Sequence, residues 1–370
     1  LHYGLVWCGV SVHFSDPERL REDLQRVRPT FFAAVPRVLE RAHERILSAG
    51  EALGGVKRRL FDWALGLARA YDPEHPPQGA LRLRYRLAER LVYSKWRAAL
   101  GGEIRTIIVG GAALRPELVR ILGAAGVRVL QGYGLTETSP VIAYNRPERN
   151  RPGTVGPLLA GVEVKLAPDG EILTRGPHVM QGYYRQPEAT AAVLSEDGWF
   201  RTGDLGSVSP DGFLSITGRA KNLFKLSTGK FVMPQPLEER LEAEALFDAA
   251  LVLGEGEKFC AALLFINREA AALVGGAAEP QDETLQARVK AVLHEANAAL
   301  PEWSQVKRAA LVVGELSVEN GLLTPKLSVR REAVLRAHAP LVAALYGRGE
   351  TGAAGVILEL AAPRPSSAPG

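Results

Sequence analysis

Cysteine is nearly absent. Only Cys8 and Cys260 occur among 370 residues, too few for a disulfide framework and without the spacing of a metal site. Both are expected to be buried, inert thiols of a reducing cytoplasm. Excess charge is absent as well. The formal net charge of +4 is mild and names no partner by itself. The first segment, Leu1 to Phe14, is apolar but short and has no basic leader. It reads neither as a signal peptide nor as a membrane span, and is expected to be a core segment entered midway. No internal repeat is visible.

What the chain has is bulk. At 46% hydrophobic and 23% charged, its 370 residues can bury a sizeable core and suggest two or more domains.

The most informative stretch is Gly132-Tyr133-Gly134-Leu135-Thr136-Glu137-Thr138, just after the apolar run Val127 to Gln131. Two glycines around a tyrosine let the backbone approach a flat ligand, with the ring free to lie against it. The Thr136 hydroxyl can donate to a phosphate oxygen, and the Glu137 carboxylate suits a hard cation such as Mg²⁺. An ordinary glycine-rich turn is the alternative. Upstream, Thr106-Ile107-Ile108-Val109 reads as a buried strand ending at Gly110-Gly111-Ala112-Ala113. Pro116 to Ala125 reads as a helix with proline at its start and Gly126 past its end. Strand, helix and strand thus place small residues at the carboxyl edge, where open parallel sheets bind ligands.

Gly132 to Thr138 resembles the signature of the adenylate-forming (AMP-binding) superfamily. Trp199-Phe200-Arg201-Thr202-Gly203-Asp204-Leu205 is similar to its ribose-binding segment, and Gly218-Arg219-Ala220-Lys221 to its interdomain hinge. Gly170 to Gly176, followed by Gly182-Tyr183-Tyr184, resembles the segment between them. Within the superfamily, Val27 to Thr30, Ala34 to Glu40 and Leu223 to Glu238 most resemble long-chain fatty acyl-CoA synthetases. The resemblance implies an α/β fold: a large adenylation domain with a parallel sheet and a β-rich subdomain, then a small α+β lid domain. The expected division is residues 1–220, lid 222–346 and a flexible tail 347–370. No glycine-, serine- and threonine-rich loop for the ATP phosphates is found. The chain therefore looks like the carboxy-terminal part of a longer synthetase, shortened at its N-terminus; a naturally shortened protein is the alternative.

The resemblance also implies ATP, Mg²⁺ and CoA as cofactor and co-substrates, and a long-chain fatty acid as the acid. A medium-chain or aryl acid, or a non-catalytic nucleotide-binding descendant, stays open. Tyr133 is expected to stack on adenine with Gly110, Gly111 and Gly132 making room, and Ala112 and Gly134 belong to the same expected cofactor-binding set. Thr136 would contact phosphate, Glu137 the metal, Asp204 both ribose hydroxyls, and Arg219 ribose or phosphate. Lys221 would be the hinge, and Gly229 would let the pantetheine arm pass. The family usually places a late lysine against the acyl carboxylate and α-phosphate. That position falls on Ser328; Lys326, two residues earlier, is the expected catalytic substitute, and a solvated surface charge there, with Arg330 or Arg331 serving instead, is the alternative.

The remaining pattern is coarse. Residues 16–48 read as a helical pair, and 51–100 as a long helical stretch broken at 71–77. Its second half carries Arg82, Arg84, Arg86, Arg90, Lys95 and Arg97 among leucines and aromatics. A solvated face with an apolar underside is the preferred reading, peripheral contact with an anionic membrane the alternative. No nucleic-acid motif accompanies the arginines. From Gly161 the period becomes two, with turns at Pro168-Asp169-Gly170 and Pro210-Asp211-Gly212. The second turn can return Asp204 and Arg219 to one place.

Overall fold

The computed structural model describes residues 2–16, 19–273, 279–298, 300–312, 314–324, 327–348 and 355–360. Lys326 and residues 361–370 lie outside them. Contacts divide the chain into two compact units. One comprises residues 1–165, 174–200 and 208–215, the other 166–173, 201–207 and 216–370.

The first unit is built on a four-stranded sheet, β1 (Phe31–Ala34), β2 (Thr106–Val109), β3 (Arg128–Tyr133) and β4 (Ala143–Tyr144), in that order. The first three strands are parallel, with Ala34 beside Val109 and Val109 beside Gln131. β4 then pairs antiparallel, Gly132 beside Tyr144. The β-branched run at β2 suits a pleated, buried surface, and Ile107 and Val109 are fully buried. The helix Pro116–Ala124 has proline at its first turn and buries Leu118, Val119, Ile121 and Leu122. Gly126 (φ +78°) ends it in the left-handed region, and the Val127 amide reaches back to the Leu122 carbonyl at 2.9 Å. This returns the chain sharply into β3.

Phe31–Ala34 was expected to lie inside a helical pair, but it forms a strand, because its partner β2 is 72 or more residues away and invisible to a local pattern. The helices Gly55–Arg69 and Gly79–Ala88, with the wider turn Glu89–Tyr93 and the helix Ser94–Ala99, make a second helical core. Tyr93 Oη donates to the Ala64 carbonyl at 2.7 Å, and Tyr85 Oη to that of Leu67 at 2.6 Å. Cys8 is exposed rather than buried; it follows a short helix, His2–Trp7, whose Trp7 is also exposed.

A five-stranded sheet follows in chain order: β5 (Gly156–Pro157), β6 (Glu163–Leu166), β7 (Glu171–Arg175), β8 (Phe200–Val208) and β9 (Phe213–Arg219). Its spatial order is β5-β9-β8-β7-β6. Gly170 (φ +85°) and Gly212 (φ +87°) form the turns that the Asp-Gly pairs foretell.

The second unit carries the hairpin β10 (Phe224–Lys225) and β11 (Phe231–Val232) and a sheet of β12 (Phe247–Leu253), β13 (Cys260–Ile266), β14 (Val306–Val312) and β15 (Gly355–Glu359). β13 is buried at every position. Ala262, Leu264 and Ile266 face a core closed by the helices Gln235–Glu242 and Glu283–Ala298. Ala261, Leu263 and Phe265 face the opposite core, closed by Val334, Leu341 and Leu345 of the helices Arg331–Ala337 and Ala339–Leu345. A strand covered on both sides must be apolar throughout, as its sequence is. Part of the expected flexible tail 347–370 is β15, paired antiparallel with β14 from Val312–Gly355 to Arg308–Glu359. Val356-Ile357-Leu358 is a short β-forming run hidden in a segment otherwise rich in glycine, alanine and proline.

Candidate functional site

In the first unit, Gly110 directly follows β2, and Gly132 lies near the end of the neighbouring β3. A Cβ on Gly110 would lie 3.7 Å from the Gly132 carbonyl oxygen. Gly111 (φ +88°) faces open space, and Ala112 is exposed. The sheet edge is thus lined with small residues, as the strand–helix–strand reading expects. Tyr133 is half-buried at the end of β3. Gly134 has a different reason for being glycine: a Cβ there would meet the Pro140 carbonyl oxygen at 1.8 Å. The chain's own crossing, not an approaching ligand, fills that side.

After Gly134 the backbone forms one tight turn, Thr136–Thr138. Thr138, fully buried, fastens it: its Oγ1 accepts from the Leu135 amide at 2.9 Å. Thr136 remains exposed and Glu137 half-buried. Tyr183 Oη donates to Glu137 Oε1 at 3.0 Å, and the Met180 amide donates to the Glu137 carbonyl at 2.8 Å. Partial burial, and then the Glu137 carboxylate, raise the Tyr183 hydroxyl above its usual value, so it stays a donor. Tyr183 therefore orients the carboxylate.

In the second unit, Asp204 is 3% exposed, and its Oδ1 forms an ion pair with Arg219 Nε at 2.9 Å. Arg219 is half-exposed. The β8–β9 hairpin brings the two together, as the turn at Asp211-Gly212 implies. Local supports fix Asp204. Gly203 (φ +70°) lies between the buried Thr202 and Asp204, and Leu205 is buried as well. The Asp204 amide donates to Thr202 Oγ1 at 3.1 Å, and Thr202 Oγ1 donates to the Ile172 carbonyl at 2.8 Å. Glu171, 4% exposed, accepts the Gly203 amide at 2.9 Å and pairs with Arg201. Glu171, Arg201 and Tyr183 were legible only as parts of quoted stretches, without roles. The available signal was a carboxylate heading the otherwise apolar Ile172-Leu173, with an arginine on the next strand.

Lys221 is exposed in the turn Ala220–Asn222 directly after β9, and lies within the second unit. Gly229 (φ +84°) sits in open space in the β10–β11 turn, where its amide bonds the Leu226 carbonyl at 2.8 Å. The turn itself requires its conformation. Lys326 lies outside the described residues; Ser328 is exposed. Among the described residues no cluster of three or more His, Cys, Asp or Glu could cage a metal ion. Glu137 offers one carboxylate, which fits Mg²⁺ only in its usual manner, with few protein oxygens and the rest from phosphate and water.

The first unit thus holds a sheet edge of small residues with a tyrosine, a threonine and an oriented carboxylate, and the second a buried aspartate paired with an arginine on a hairpin. The chain belongs to the AMP-binding enzymes. The family described as "AMP-binding enzyme" matches residues 2–184, and that described as "AMP-binding enzyme C-terminal domain" matches residues 221–350. Among its relatives, the long-chain-fatty-acid–CoA ligase FadD15 of Mycobacterium bovis is 35% identical over 360 residues, which cover 92% of this chain and 58% of that protein. The peroxisomal long chain acyl-CoA synthetase 6 of Arabidopsis thaliana is 33% identical, covering 92% and 52%. The chain therefore spans a little over half the length of these relatives. The fold is shared with the adenylation and carrier didomain of a carboxylic acid reductase from Segniliparus rugosus, solved with AMP. There the TM-score is 0.67 at 24% identity, covering 91% of this chain and 44% of that one.

Proposed function

We propose that the chain supplies nucleotide-binding and lid parts of an ATP-dependent ligase that joins a long-chain fatty acid to CoA. In the first step a carboxylate oxygen attacks the α-phosphate of ATP, forming acyl-AMP and releasing pyrophosphate. In the second the CoA thiol attacks the acyl carbonyl, forming the thioester and releasing AMP. Tyr133 stacks on adenine beside Gly110, Gly111 and Gly132. Asp204 accepts the ribose hydroxyls, Arg219 reaches ribose or phosphate, and Thr136 donates to phosphate. Glu137 would hold Mg²⁺, which offsets charge developing on the phosphates. Residues 222–346 act as the lid, turning about Lys221 between the steps.

The observation that carries this reading is Asp204. Burying a carboxylate costs several kcal/mol unless it is paired and bonded, and Asp204 is buried against a half-exposed arginine at the end of a hairpin. The long-chain acid is supported by the resemblance of residues 27–30, 34–40 and 223–238 and by the names of the relatives. Calorimetry with AMP on this chain tests the ribose role. Asp204→Ala is expected to weaken binding by about 1.5–3 kcal/mol for each charge-assisted bond lost; equal affinities would sink it. On a full-length protein, a panel of long-chain, medium-chain and aryl acids with CoA tests the substrate class. A non-catalytic descendant is the second reading, favoured by Ser328 where the resemblance expects lysine. A large gain of adenylation in full-length Ser328→Lys would support it, by showing a degenerate site.

A further inference from the structure

The helical stretch from Gly79 to Ala99 has two apolar faces. The inward one is complete: Ala88, Val92, Tyr93 and Trp96 are buried in the helical core. Trp96 packs against Phe61 with ring centroids 5.9 Å apart. One such face is enough to seat a helix on a protein surface. The outward one is additional. Leu83, Leu87 and Leu91 recur at every fourth position, which aligns them in a row along one side. They are 64%, 50% and 36% exposed.

Arg82, Arg84, Arg86, Arg90 and Lys95 are interleaved with this row and all exposed. Among the described residues none of the five has an ion-pair partner. The stretch's acidic residue, Glu89, is engaged by Arg97 at 2.5 Å. A leucine row set among unpaired cations matches the bilayer interface in both chemistry and charge. Leucines enter the headgroup–acyl boundary, while guanidinium groups stretch back to lipid phosphates. No helix among the described residues is long and apolar enough to cross a membrane, so attachment would lie in the membrane plane.

We propose that the Leu83-Leu87-Leu91 face, with its surrounding arginines and Lys95, docks the protein on an anionic lipid bilayer. The proposal rests on this helix and is independent of the ligase reading. The test is co-sedimentation of the full chain with vesicles of phosphatidylcholine alone, or of phosphatidylcholine mixed with phosphatidylglycerol. Wild type is expected to sediment with the mixed vesicles only, and less so as salt rises. Combined Leu83→Ser, Leu87→Ser and Leu91→Ser should weaken vesicle binding about tenfold or more. Arg86→Glu with Arg90→Glu, which leaves the leucines in place, should weaken it by a similar factor and blunt the salt response. Unchanged circular-dichroism melting shows that the variants are folded, and the arginine pair carries the test if the leucine variant is not. Equal binding to both vesicle types, or variants that bind as wild type does, would overturn the proposal. So would a wild-type dimer, in sedimentation velocity without lipid, that the leucine variant makes monomeric while vesicle binding is unchanged.

Discussion

Two buried ionisable residues illustrate opposite solutions to the same problem. Glu171 is buried with partners, Arg201 and the Gly203 amide; His43 is buried with neither ring nitrogen hydrogen-bonded. Glu171→Ala strands the Gly203 amide and is expected to cost roughly 1–3 kcal/mol in urea unfolding. It should also weaken AMP binding, because Asp204 is the next residue along. Glu171→Gln keeps an acceptor and should lose less of both. Burial lowers the His43 imidazole to about 4, with Glu117 opposing and Arg115 and Arg69 assisting. The folded value lies below the unfolded one, so the unfolded chain takes up this proton first as pH falls. The stability linked to His43 is complete above about pH 6.5 and declines toward pH 4, by about 3 kcal/mol. Unfolding midpoints across that window should fall steeply for wild type and less for His43→Leu. An unchanged slope would show that other groups set the acid sensitivity.

Glycines with different jobs separate at the level of elements. Gly134→Ala drives a Cβ into the Pro140 backbone, so the turn must move. A loss of about 1–3 kcal/mol or more is expected. Gly111→Ala meets open space and should cost only the left-handed conformation, about 1–2 kcal/mol. Chemical denaturation of the two variants checks the order. From sequence both glycines read as room for a ligand; a collision between residues six apart is set by tertiary geometry. The sequence was legible where local chemistry fixes the outcome. Pro116 and Gly126 bound a helix, and Asp211-Gly212 closes the hairpin that pairs Asp204 with Arg219. Phe31–Ala34 and Gly355–Glu359 were not legible, because short strands are defined by partners distant in sequence. Glu171 was hidden for the same reason: its partners sit on another strand.

For the whole molecule, the placing of Lys221 after β9 makes a backbone test possible. In a full-length protein, Lys221→Pro fixes one dihedral and should slow thioester formation more than acyl-AMP formation, the latter measured by pyrophosphate exchange. Equal losses in both would remove support for a hinge there. The two thiols permit a different kind of measurement. Cys8 is exposed, whereas burial pushes the Cys260 thiol up to about 12. The thiolate is the reactive form, so near neutral pH the native protein should consume one equivalent of maleimide rapidly and a second only on unfolding. A single fluorophore can thus be attached near the amino-terminal helix of the unaltered chain, and the rate at which the second thiol becomes labelled clocks the opening of the carboxy-terminal core.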